Sequence, residues 1–422
     1  MRRVTPAIFC CLPESLAKFS DNGSQFGSSI PAAHWFAGSQ TRCDVSSDVV
    51  IRVVQSIEDV PADAWDALAG ANPFVQHAFL HAMHTSGCAS KRTGWQPAYL
   101  LMHAGDTLVG AMPLYVKSHS RGEYVFDHAW ADAFARHGLN YYPKLLCAVP
   151  FSPVTGPRLL ARTHADRVAL ARGAIAFAKQ LELSSIHVLF THDDDLAALT
   201  EAGYLLREGV QFHWENPGFA TFDDFLAQMN QEKRKKLRQD RRRVRDAGVT
   251  YRWLRGADID EAALDFFYQC YDNTYREHWN APYLSRAFFG QVHASMPDAL
   301  LLVMAERDGA PLACALNVVS GDTMYGRYWG TTDFVSGMHF ETCYAQGIEY
   351  CIAHGLRSFE GGAQGVHKMS RGLLPTPTWS AHWIADQRFA DAIAEFLDSE
   401  TSAMDEHIGE LEAHTPFKRP AS

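Results

Sequence analysis

NPFVQHAFLHAMHTS (72–86) and APYLSRAFFGQVHAS (281–295) stand at a constant offset of 209 residues. Pro73/Pro282, Ala78/Ala287, Phe79/Phe288, His84/His293 and Ser86/Ser295 are identical, and Phe74/Tyr283 is an aromatic match. Each copy precedes two β-rich runs around a polar Gly/Asp turn, AYLLMHAGDTLVGAMPLYVK (98–117) and LLLVMAERDGAPLACALNVV (300–319), the pattern of an antiparallel hairpin. Downstream, LARGAIAFAKQLELSSIHVLF (170–190) and YAQGIEYCIAHGLRSFEGG (344–362) share Ala171/Ala345, Gly173/Gly347 and Ser184/Ser358 at an offset of 174. Both read as an amphipathic helix running into a strand, the second helix closed by Gly355 at C′. Three matched stretches in one order predict a duplicated α/β (α+β) module with mixed sheets flanked by helices. The change of offset marks unequal insertions, one of them the stretch 122–160, found only in the first half.

At 422 residues the chain is too long for one typical domain. The expected organisation is a disordered extension (1–48), a first module (49–215), a basic linker helix (216–250), a second module (251–400) and a tail (401–422). A net charge of −10 argues against general nucleic-acid binding but leaves room for a local basic site. Nine cysteines without a C-x-x-C point to free thiols in a reducing compartment. No apolar run approaches the roughly 20 residues that span a membrane. Pro13 and Glu14 cut the apolar run AIFCCL too short for a signal peptide. The expected location is the cytoplasm.

The stretch FEGGAQGVHKMSRGLLP (359–375) follows the last matched strand and reads as a glycine-rich loop around two cations, Lys368 and Arg371. Its spacing fits neither a P-loop nor a dinucleotide fingerprint. Upstream, TMYGRYWGTTDF (323–334) reads as a strand with Met324, Gly326 and Tyr328 on one face and Tyr325, Arg327 and Trp329 on the other. A helix then opens through Ser336 and Gly337, and its free N–H groups would seat a phosphate near Gly337–His339.

Between the halves, TFDDFLAQMNQEKRKKLRQDRRRVRDAG (221–248) has a capped start at Thr221/Asp224 and a stop at Gly248. Nine of the thirteen residues 233–245 are Lys or Arg, with only Asp240 inside the run to compensate them. Such a run is ordinarily a solvated face, but like-charge repulsion also favours an anionic partner, with Arg234, Lys235, Arg238, Arg241 and Arg242 as its ligands. His77, His81, His84 and Cys88 have helical spacing, yet no acidic ligand accompanies them and no metal is expected. HDDD (192–195) reads as a solvated acidic turn in a loop. In the first-half insertion, Asp127, Trp130, Tyr141, Tyr142, Lys144 and Arg158 mix aromatic and ionic groups. Trp130 reads as packing, while Tyr141, Tyr142 and Lys144, with Arg327 and Trp329 of the second half, are candidates for a substrate wall.

These residues carry a family resemblance. The basic segment KRKKLRQDRRRVRDAGV, the block WGTTDFVSGMHFETCYAQGIEYCIAHGLRSFEGGAQGVHKMSRGLLP, and GEYVFDHAWADAF with NYYPKLLCAVPFSPVTGPRLL resemble the FemAB-like, peptidoglycan-related proteins built on tandem GNAT acyltransferase folds. The resemblance covers about residues 50–400. It implies transfer of an acetyl or aminoacyl group from acetyl-CoA or aminoacyl-tRNA to an amine acceptor, a small molecule or a cell-wall precursor. The matching Lys368 would stabilise developing negative charge, Glu360 or His367 would act as base, and Arg371, Ser336, Gly337 and His339 would seat phosphate. The Q/R-x-x-G-x-G/A pyrophosphate loop is missing before Ser336, which counts against acetyl-CoA. The coiled-coil arm of some Fem proteins is also missing, which counts against handling tRNA in their manner. The rival reading is a non-catalytic RNA- or precursor-binding protein that uses the basic helix 233–245. Oligomeric state is left open.

Overall fold

The computed structural model describes residues 49–362 and 365–418, so the expected extension 1–48 lies outside the described residues. The described chain divides into two compact units, 49–207 with Trp379–Ser399, and Glu208–Thr378 with 400–418.

In the first unit the strands are β1 (Val49–Val54), β2 (Trp95–Pro97), β3 (Tyr99–Ala104), β4 (Thr107–Met112), β5 (Leu114–Lys117), β6 (Lys144–Cys147), β7 (Leu160–Ala161) and β8 (Ser185–Thr191). β3 and β4 form the expected hairpin in a sheet of order β1-β3-β4-β7. Pro113 lacks an N–H for the ladder, so the second run breaks there and β5 pairs instead with β2 and β6. The helix His164–Gln180, capped by Thr163, packs its Ala-rich face into an apolar core with Leu100, Met102 and Ile186.

One face of this second sheet is polar although buried. Lys117 lies directly across from Lys144, Leu146 across from His187, and His187 across from His382. Neither lysine has any solvent exposure. Like charges placed opposite each other destabilise a sheet, and the first-half insertion supplies the compensation. Lys144 Nζ donates to Glu123 Oε2 and Ser120 Oγ, each at 2.8 Å, and pairs with Asp127 Oδ2. Tyr141 donates to Asp127 at 2.6 Å. Lys117 sits 3.7 Å above the Trp95 ring, and burial lowers its pKa to about 7.

The imidazoles of His187 and His382 meet through their Nδ1 atoms at 2.7 Å, and burial holds His187 down at about 3 and His382 well below 6.5. Below pH 6.5 the unfolded chain binds protons that the folded pair refuses. Stability is therefore expected to fall as pH drops from about 6.5 toward 3, and to rise from about 7 to 10.5 as Lys117 ceases to be a buried charge relative to the unfolded chain. Unfolding midpoints across about pH 4–9 check both limbs. A midpoint unchanged between about pH 7 and 5 would contradict neutral burial of the histidines.

In the second unit the strands are β9 (Leu205–Glu215, from Glu208 onward), β10 (Val249–Arg255), β11 (Leu300–Arg307), β12 (Ala310–Ser320), β13 (Thr323–Thr331), β14 (Ser358–Glu360) and β15 (Leu374–Ile384, to Thr378). Their order is β10-β11-β12-β13-β14-β9, antiparallel except for the β13–β14 pair. Asp308 and Gly309, both at positive φ, close the β11–β12 hairpin as a tight two-residue turn. Helix Arg286–Ser295 occupies the second matched stretch, as helix His77–Thr85 occupies the first.

Three local expectations are corrected. The segment 221–248 is two helices, Phe222–Gln228 and Gln231–Asp246, because Asn230 turns out of the first and caps the second through Lys233 N–H. HDDD is not a loop: His192 precedes the helix Asp193–Glu201, and Asp195 is buried, accepting the Arg158 and Leu159 N–H groups. The alternation along β13 does not persist. Leu316 pairs with Tyr328 but Asn317 pairs with Gly326, leaving Arg327 as the extra residue of a bulge. Side-chain direction therefore flips at Arg327. Met324, against Gly347, and Trp329, 5.1 Å from the His339 ring, face the same helix, while Tyr328 stacks edge-on to Tyr271 on the other side.

Candidate active site

β14 is only three residues long, and it pairs with β13 through Thr323, Met324 and Tyr325 alone. β13 then continues to Thr331, whereas β14 ends at Glu360 and the next residue, Gly361, donates its N–H to Phe212 O of β9 at 3.0 Å. The Lys368 loop follows directly. Its six-residue 3₁₀ turn, Val366–Arg371, is bracketed by Gly365 (φ 116°) and Gly372 (φ 94°), values that a side chain would strain. The helix facing it begins at Met338 after Gly337, continues as a π turn over Glu341–Ala345, and resumes as α-helix Gln346–Ala353. The π turn was not legible in the sequence, and such turns gather at functional sites. Gly355 ends the helix as expected, at φ 66°.

Lys368 has no solvent exposure, and its Nζ donates to Gly362 O at 3.0 Å. Gly361 is needed beside it: a Cβ there would come within 2.4 Å of Leu373 and 3.3 Å of the Lys368 side chain. Glu360, half-buried, lies directly across from His213 on β9. Burial and the nearby Lys368 charge hold His213 down at about 4. His339 is held at about 3 by burial, by its coupling to the His367 ring should that ring protonate, and by the Arg371 and Lys368 charges, and His367 is lowered by burial, Lys368 and Arg371. His367 Nε2 meets Tyr344 Oη at 3.3 Å. The site is thus a cluster of two buried cations with imidazoles that are neutral at pH 7. Neutral imidazoles can accept a proton, and a buried ammonium can stabilise an oxyanion.

Glu360 ends β14, His367 and Lys368 lie on the 3₁₀ turn, and Gly337 and His339 lie at the helix start. Ser336 is exposed at the turn before them. Arg371 is 6 % exposed, bonded to Asp240 Oδ2 at 2.9 Å and stacked 3.9 Å over Phe340, so it faces protein on both sides. Arg327 is the buried bulge residue, and Trp329 is packed on His339. Tyr141, Tyr142 and Lys144 belong to the buried network of the first unit, and Arg158 there donates its guanidinium N–H groups to the carbonyls of Leu189, Pro157 and Val154. His213 was missed because it lies far upstream on β9, where QFHW alternates like any strand. Only strand pairing brings it to Glu360.

On the basic helix, Arg241 is committed to Glu341 (3.1 Å) and Glu349 (2.6 Å), and Arg238 to Asp223 (3.1 Å). Among the described residues no carboxylate pairs with Arg234, Lys235, Arg242 or Arg245. Arg238, Arg241, Arg242 and Arg245 line a recess of about 420 Å³ beside Thr221. The histidine spacing at 77–84 serves other ends: His77 bonds Ile57 O, His81 Glu58, and His84 the hydroxyls of Tyr99 and Tyr115. Among the described residues no helix is long and apolar enough to cross a membrane.

The FemAB-like family profile, described as peptidoglycan biosynthesis/recognition, matches residues 56–419, and the chain belongs to that family. The crystal structure of FemX is similar at 13% identity, with 79% of this chain and 98% of that one covered and a TM-score of 0.52. L-PGS from Bacillus licheniformis (8% identity, 80% and 98% covered, TM-score 0.48) and a tandem GNAT protein from the clavulanic acid pathway (12%, 80% and 99%, 0.41) are also similar. No curated protein matches the chain by sequence.

Proposed function

We propose that this chain is an N-acyltransferase that moves an acetyl or aminoacyl group from acetyl-CoA or aminoacyl-tRNA to an amine, with a cell-wall precursor as the favoured acceptor. The observation that carries the reading is the buried Lys368 in the turn that follows β14, among imidazoles held neutral. The acceptor amine attacks the donor carbonyl directly. Lys368 stabilises the oxyanion, and His367 or Glu360 takes the ammonium proton, His367 being neutral at pH 7. The adduct then collapses, the bond to the donor breaks, and the same proton passes to the departing CoA sulfur or tRNA ribose oxygen. The N–H groups that open the helix at Met338 seat a donor phosphate, with His339 beside them. Labelled acetyl-CoA and a labelled aminoacyl-tRNA mixture, each incubated with peptidoglycan-precursor amines, test this. Label transferred from either donor supports it. Absence of transfer from both would overturn it.

The arginine recess favours the aminoacyl-tRNA donor through Arg242 and Arg245, since guanidinium groups without a carboxylate partner suit phosphodiesters, while Arg238 and Arg241 there are paired with Asp223 and Glu349. Changing Arg242 and Arg245 to Gln is expected to weaken RNA binding. The salt dependence should flatten by about one unit of log–log slope for each phosphate no longer neutralised. Filter binding at several salt concentrations reads this, and an unchanged slope counts against RNA in the recess.

A further inference from the structure

Asp240 is the one acidic residue within 233–245, and charge compensation of the run was its expected use. The structure gives it another. Asp240 is 6 % exposed, whereas a carboxylate that only offset a solvated face would be exposed with it. Its Oδ2 accepts from Arg371 Nη1 at 2.9 Å, while Oδ1 takes Lys236 at 3.0 Å and Arg243 at 3.6 Å. Its backbone also touches the site. A Cβ on Gly337 would stand 3.5 Å from Asp240 O and 3.7 Å from Asp240 Cβ, so the helix start lies against this turn. Arg371 in turn covers the Phe340 ring, and it closes the 3₁₀ turn that carries Lys368. One residue thus bonds the lysine loop through Arg371 and lies beside the helix N-terminus, the two elements of the site. The next residue, Arg241, reaches the π turn through Glu341, whose Oε1 also accepts from Gln346 at 2.9 Å.

We infer that Asp240 is a positioning residue, a buried anionic clamp that holds Arg371 and so fixes the Lys368 turn against the helix start. The inference rests on the acyl-transfer reading for its kinetic consequence, though not for its geometry. A buried ion pair adds little net stability compared with apolar packing, and its attested use is to select one register among several. Here the register is that of a 3₁₀ turn, a loose element that needs outside contacts to hold one position.

The test uses the full chain with Asp240→Asn and the double variant Asp240→Asn/Arg371→Gln. The probe is the His367 titration followed by NMR. His367 faces the Tyr344 hydroxyl, His339 and the Phe340 ring on the helix, and Lys368 and Arg371 on its own turn. Removing the Asp240 charge leaves Arg371 uncompensated, so the His367 midpoint is expected to fall by about half a unit; removing Arg371 as well is expected to raise it again. Turnover of Asp240→Asn is expected to fall roughly ten- to a hundredfold with KM for the donor little changed, because a misplaced Lys368 harms the transition state more than binding. A His367 midpoint indifferent to both variants overturns the clamp. If Asp240→Asn does not fold, the double variant, which leaves no buried charge unpaired, decides by its turnover: a loss of roughly tenfold or more supports the clamp, and wild-type turnover overturns it. Should the wild type show no transfer with any donor, the acyl-transfer reading fails while the titration still judges the clamp.

Discussion

Lys368→Met is expected to lower turnover by about 10²–10³-fold, the usual loss when a preorganised oxyanion donor is removed from a water-poor site. Methionine keeps the unbranched apolar stem of lysine, so the packing beside Gly361 survives and the defect is confined to the ammonium group. The ammonium acts where negative charge develops, so kcat should carry the loss and KM little of it. The pH dependence should shift as well. Lys368 is among the charges that depress His213, His339 and His367, so its removal is expected to raise all three. Steady-state kinetics beside an unfolding curve separate chemistry from folding. A folded Lys368→Met protein with wild-type turnover would remove the lysine from the mechanism.

Lys144→Met in the first unit has the opposite signature, a loss of stability of about 3–5 kcal/mol, because it strands two buried carboxylates. Glu123 is already pushed up by burial, and Asp127 is held below the usual range only because Lys144, His187 and the Tyr141 hydroxyl outweigh its own burial. Removing the lysine withdraws the largest of those compensations. Adding Glu123→Gln and Asp127→Asn to the methionine variant should recover much of the loss, since the penalty lies in unpaired charge and not in the cavity. Urea unfolding followed by tryptophan fluorescence reads both variants, with Trp95 and Trp130 lying beside the network. A Lys144→Met chain as stable as wild type would mean that the network contributes nothing to the unit.

What the sequence determined on its own is what local chemistry controls. Hairpin runs around Gly105–Asp106 and Asp308–Gly309, the cap at Thr221, the stop at Gly355 and the loop carrying Lys368 each depend on a few consecutive residues. Helices His77–Thr85 and Arg286–Ser295 are each followed by a hairpin, β3–β4 and β11–β12, although the first copy's second run splits at Pro113. Periodicity failed where one residue breaks the count. Arg327 is an ordinary strand residue by type, and only the register of β12 makes it a bulge that sends Met324 and Trp329 to one side. Asn230 looked like one more polar position in a long helix until its side chain capped the next one. The tertiary structure alone decided which charges are buried and with whom. Lys117 and Lys144, Asp195, and Asp240 with Arg371 are all residues that sequence expects in water, and distant strands or loops supply the partners that offset their burial. His213 reached the site in the same way, by pairing across β9 and β14. Burial of a polar group is a property of its neighbours in space, and those are set by strand order, which no local pattern encodes.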